Sequence, residues 1–85
     1  MRRQVPRAAK QRPAPAGRAR ISAIIERRGE LVAEIERLRN AGAAPRFLEN
    51  AQHLLTIWWS KSDWTAREQL LKSAGWLLAL ASTAP

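Results

Sequence analysis

The sequence predicts an all-α protein: a small helical bundle of one long amphipathic helix followed by two shorter helices, behind a disordered basic N-terminal arm. Three observations lead there. Beyond residue 20, apolar side chains recur three and four positions apart, the period of a helix with one buried face. No stretch alternates apolar and polar residues as a half-buried strand does. Residues that stop and restart helices separate the periodic stretches, at Asn40-Ala41-Gly42 with Pro45 and again at Ser60-Lys61-Ser62-Asp63.

The arm comes first. Of a net charge of +8, seven units fall in residues 1–20, on Arg2, Arg3, Arg7, Lys10, Arg12, Arg18 and Arg20, with no Asp or Glu among them. Pro6, Pro13 and Pro15 interrupt this stretch, and its cations repel one another, so residues 1–20 are expected to stay disordered in isolation. Residues 21–82 form the predicted helical domain. Its charges nearly cancel, with 8 basic and 7 acidic side chains from residue 21 onward.

The long helix is expected over residues 21–40. Ile21, Arg28 and Ile35 take heptad position a, and Ile24, Leu31 and Leu38 take position d. Ile25 and Val32 widen the stripe beyond a coiled-coil seam. Arg28 is anomalous in an apolar position; there it snorkels, or pairs across an interface and fixes the register of a helix pair. Glu34 and Arg37 are spaced to pair on the outer face. Gly29 costs the helix roughly 1 kcal/mol relative to Ala. Gly42 is placed to take the left-handed cap, and Pro45 prevents continuation.

Pro45 suits the first turn of a second helix, expected over residues 45–59. Phe47, Leu48, Ala51, Leu54, Leu55 and Trp58 share its inward stripe, which leaves Ile57 and Trp59 outside. The third helix starts at Ser62 or Asp63, or at the box formed by Thr65 and Glu68, and runs to about residue 81. Ala74-Gly75 is a step of small residues where a neighbouring helix can approach.

Catalysis finds little to stand on. His53 is the sole histidine, cysteine is absent, and there is no glycine-rich phosphate loop. Glu49 and His53, four apart, read as a surface polar pair, since a metal needs more ligands than two. Glu26, Glu30 and Glu34 read as a solvated face balanced by Arg27 and Arg37. The expectation is a protein that is not an enzyme and uses neither metal nor cofactor.

Binding is better supported. Acid-free arginine spacing suits successive phosphates, so Arg2, Arg3, Arg7, Lys10, Arg12, Arg18 and Arg20 are the candidate nucleic-acid contacts. A body of about 65 residues is marginal as a monomer. That size, with four tryptophans, predicts a homodimer built on Ile24, Arg28, Leu31, Ile35 and Leu38, with Trp59 and Trp76 at the dimer or partner interface. The first expectation is therefore a helical dimer that binds nucleic acid non-specifically, or regulates it, through its arm. The alternative is a protein-interaction module, an antiactivator or assembly adaptor, using a tryptophan-rich surface. The longest apolar run, residues 74–81, is too short to cross a bilayer, which takes roughly 18 residues. The absence of cysteine fits a cytoplasmic setting.

Overall fold

The computed structural model describes residues 13–83, with side chains from residue 17 onward. Within these bounds the protein is all-α. Three long helices, α1 (Pro13–Asn40), α2 (Pro45–Leu55) and α4 (Trp64–Thr83), pack together, and a single turn, α3 (Ile57–Ser60), joins the second to the third. No helix among the described residues is long and apolar enough to cross a membrane.

The first helix starts at Pro13, eight residues before the expected position. The physical reason lies in where the prolines fall. Pro13 and Pro15 occupy the first turn, whose backbone N–H groups have no intrahelical partner to lose. Residues 13–20 of the expected disordered arm are therefore helical, whereas residues 1–12 lie outside the described part of the chain.

At its other end α1 closes as its sequence predicts. Gly42 adopts φ +82° and donates its N–H to the Arg39 carbonyl, while the Ala43 N–H reaches the Leu38 carbonyl at 3.0 Å. This pair of bonds is the Schellman motif, and the left-handed residue within it is one that only glycine adopts cheaply. Arg37 and Arg39 in the last turn complement the negative end of the helix.

Pro45 opens α2 in the first turn. The second helix does not continue to Trp59: it ends at Leu55, and Thr56 breaks the ladder with φ −122° and ψ −74°. There the Thr56 hydroxyl donates to the Gln52 carbonyl at 2.7 Å, a local bond that competes with helix continuation. After α3, Asp63 caps α4 by accepting the Ala66 N–H at 2.8 Å. This cap is one of the expected alternatives; Glu68 instead turns toward α1.

The core lies between all three long helices. Ile24, Leu31, Ile35 and Leu38 of α1 meet Leu48, Ala51 and Leu55 of α2 and Ala74, Leu78 and Ala81 of α4. Three of these are alanines with almost no exposed surface, and their small size lets the helix axes approach. The long helix packs on both α2 and α4, so its heptad stripe is the inner face of a bundle within one chain.

Candidate nucleic-acid interface

The described cations divide into those the fold uses and those it leaves to solvent. Arg28 and Arg67 are the most deeply engaged. Arg28 sits at the inner edge of α1, level with the break between α2 and α3, and its Nε donates to the Leu55 carbonyl at 2.9 Å. Its guanidinium lies over the Trp59 ring, 5.0 Å from the centroid. From α4, Arg67 donates Nε to the Trp59 carbonyl at 2.9 Å and stacks over Trp64, 4.5 Å from that ring's centroid. Trp59 and Trp64 meet edge to face at 6.5 Å. Arg28 thus satisfies the Leu55 carbonyl where the chain turns, Arg67 joins the Ser62 N–H on the Trp59 carbonyl, and the rings cover both guanidinium groups.

Trp59 is consequently a core residue, only 8% exposed, and its expected place at an interface is corrected. Its neighbour Trp58, assigned to the core from sequence, is 55% exposed. The buried residues Leu48, Ala51, Leu55 and Trp59 keep the three- and four-residue spacing of one helical face, so Trp59 turns inward on that face and Trp58 lies beside it, toward solvent. The other expected interface residues divide in the same way. Ile24, Leu31, Ile35 and Leu38 are buried against the chain's own α2 and α4, so their side chains are not free for a second chain. Arg28 is held within the fold, and Trp76 stands 66% exposed on the outer face of α4.

Three of the other six cations of the body have acidic partners. Arg27 pairs with Glu30 at 2.9 Å, Arg37 with Glu34 and Arg39 with Glu36, all on α1. The pairing of Arg37 with Glu34 is the one expected from their spacing. Its hydrogen bonds hold the Glu34 carboxyl below its ordinary value. Arg39 also donates to the Gln52 side chain, tying α1 to α2.

Among the candidate nucleic-acid contacts, Arg20 lies on the inner side of α1 and pairs with Glu68 of α4. The hydrogen bond from Arg20, then its charge, hold the Glu68 carboxyl below the usual range. The two residues stand at one end of an open groove of about 500 Å³ between α1 and α4. Arg27 and Lys72 edge this groove, and Ile24 and Leu71 contribute apolar lining. Arg18 is exposed two residues before Arg20. Arg2, Arg3, Arg7, Lys10 and Arg12 lie outside the described residues.

Sequence reasoning did not foresee the contacts of Arg67 with Trp59 and Trp64 or of Glu68 with Arg20, nor the place of Lys72 in the groove. The signal available for Arg67 was its position three after Trp64, one turn along the same face. The contact between Glu68 and Arg20 spans 48 positions and left no local signal. The described residues hold no group of three or more His, Cys, Asp or Glu side chains able to hold a metal ion. Comparisons with protein families, curated proteins and solved structures find no match to this chain.

Proposed function

We propose that the chain binds nucleic acid through its phosphates, with the N-terminal cations making the contacts and the helical bundle serving as their scaffold. The observation that carries this reading is the unequal use of charge. From residue 27 to residue 67 most arginines are paired with carboxylates or held on carbonyls and rings. The first 20 residues hold seven cations and no acid. A surplus of that size, on a chain segment that runs into a helix, supplies attraction that any phosphate backbone satisfies. Such contacts position a protein without reading base sequence. The role is binding rather than catalysis.

The test is fluorescence anisotropy with DNA and RNA oligonucleotides across a salt series. The wild-type chain is compared with a variant in which Arg2, Arg3, Arg7, Lys10 and Arg12 are all replaced by Gln. If five to seven phosphates are contacted, log affinity falls against log salt with a slope of roughly −4 to −6. The variant is expected to lose most of that slope and to unfold at the same temperature as wild type. Equal affinity for the two proteins would refute the reading.

A second reading is a protein-interaction module, favoured by the exposure of Trp58 and Trp76. Tryptophan is a preferred anchor in protein interfaces. Under this reading the five-fold Gln variant keeps its partner and slows only its association at low salt, whereas Trp58→Ala or Trp76→Ala loses the partner.

A further inference from the structure

The outward stripe of α1 has a composition unlike that of an ordinary solvated face. Ile25 is 54% and Val32 43% exposed, seven positions apart, with the exposed Gly29 between them. A β-carbon at Gly29 would meet nothing within 4 Å, so no contact inside the chain requires its missing side chain. The stripe ends in opposite charges, Arg18 toward the N-terminus and Glu36 toward the C-terminus, both exposed, with Glu36 also paired to Arg39 of its own helix through one carboxylate oxygen. At 100° per residue, positions 18, 25, 29, 32 and 36 fall within about 60° of one another around the helix.

We propose that this stripe docks a second copy of the chain, α1 against α1 and antiparallel, about a twofold axis near Arg27. In that register Arg18 of each copy faces Glu36 of the other, and Ile25 of each lies over Gly29 of the other. The glycine then has a purpose: it removes the side chain that would hold the helices apart. The charges set the direction, because a parallel pair would oppose Arg18 to Arg18 and Glu36 to Glu36. The axis falls near the middle of a 28-residue helix, so the two copies overlap along nearly its whole length, about 42 Å at 1.5 Å per residue. A strip of that length and about 10 Å width covers roughly 400 Å² per copy, below the roughly 800 Å² per partner of stable complexes. The dimer is therefore weak and concentration-dependent. It replaces the seam Ile24, Leu31, Ile35 and Leu38, which the chain buries within itself. It does not depend on the nucleic-acid reading, and it sets the two basic N-termini at opposite ends of the paired helices.

Sedimentation equilibrium of the full chain, without nucleic acid, tests the proposal. The mass is expected to rise from 9.6 kDa toward twice that value as concentration increases. Arg18→Glu and Glu36→Arg should each weaken association about five- to tenfold, since each replaces two favourable charge pairs with two repulsive ones. An equimolar mixture of these two variants restores complementarity at both ends and should recover the wild-type affinity. Gly29→Leu, whose side chain has open space in the monomer, should keep its helical circular dichroism and lose dimerisation at least tenfold. A constant 9.6 kDa mass to millimolar concentration overturns the proposal. So does a dimer that Gly29→Leu leaves intact, or a pair of weakened charge variants that fail to rescue each other.

Discussion

The corner around Trp59 and the N-terminal start of α1 use the same side chain in opposite circumstances. At the corner, Arg28 and Arg67 spend their donors on the carbonyls of Leu55 and Trp59 and their planar faces on two indole rings. At the start of α1, Arg18 is exposed, in a stretch of the chain that contains no carboxylate. The difference teaches that arginine content alone says little about partners. A chain break supplies bare carbonyls, nearby tryptophans supply faces, and together they convert a cation into a structural strut. Where neither is at hand, the charge stays available to a polyanion. Net charge, +8 for the whole chain, therefore overstates the interactive charge of the body and locates the remainder near its start.

The sharpest way to break this contrast is to remove the ring on which both struts rest. Trp59→Ala deletes a large buried side chain and leaves Arg28 and Arg67 without their shared face. A loss of about 3–5 kcal/mol is expected, measured by urea denaturation of the full chain. Trp58→Ala, one residue earlier and largely exposed, is expected to change stability by no more than about 0.5 kcal/mol. Equal losses at the two positions would show that the corner is not built around Trp59.

Next in size are the struts themselves. Arg28→Met keeps much of the side chain's length and apolar stem but offers the Leu55 carbonyl no donor. The expected cost is about 1–3 kcal/mol, that of leaving a partly buried acceptor unsatisfied. Arg67→Met should cost less, about 0.5–1.5 kcal/mol, because the Trp59 carbonyl keeps the Ser62 N–H as a donor. In the double variant the losses should fall short of additive, because both arginines lie on one ring. Strict additivity would mean that the two struts act separately.

These particulars also mark what the sequence makes legible. Local chemistry reads well. The cap at Gly42, the start at Pro45, the Asp63 cap and the Glu34–Arg37 pair each depend on residues a few positions apart, and each forms as expected. Phase and partnership read poorly. The exchange of Trp58 and Trp59 follows from where the stripe is centred: Leu48, Ala51 and Leu55 are its buried middle, whereas Phe47 and Leu54 lie at its partly buried edge. Periodicity gives the width of an apolar face but not which of two neighbouring residues at its margins turns inward. The heptad stripe of α1 is legible as a face to be covered, yet a period does not reveal whether the covering surface belongs to the same chain or another. Arg28 is out of place in an apolar heptad position, and its partner is the Leu55 carbonyl at the end of α2, which no local pattern reveals. The N-terminal boundary moved for a simpler reason: prolines that oppose a helix interior are tolerated in its first turn.

The smallest effect expected bears on Arg20, which belongs to both regions, being a candidate phosphate contact tied to the fold through Glu68. Arg20 holds the Glu68 carboxyl below its ordinary range, so the ion pair stabilises the fold above the usual Glu pKa of about 4.3. That contribution fades as the pH falls through the depressed value and Glu68 takes up a proton. Carboxyl-detected NMR titration of the wild-type chain should place the Glu68 midpoint below the usual value, and Arg20→Gln should return it upward. At neutral pH, Glu68→Gln releases Arg20 without moving it. If the groove between α1 and α4 extends the track of the N-terminal cations, nucleic-acid affinity should rise modestly and the salt slope steepen by about 0.9, one further phosphate. An unchanged slope would leave Arg20 as a tie between α1 and α4 and remove it from the phosphate contacts.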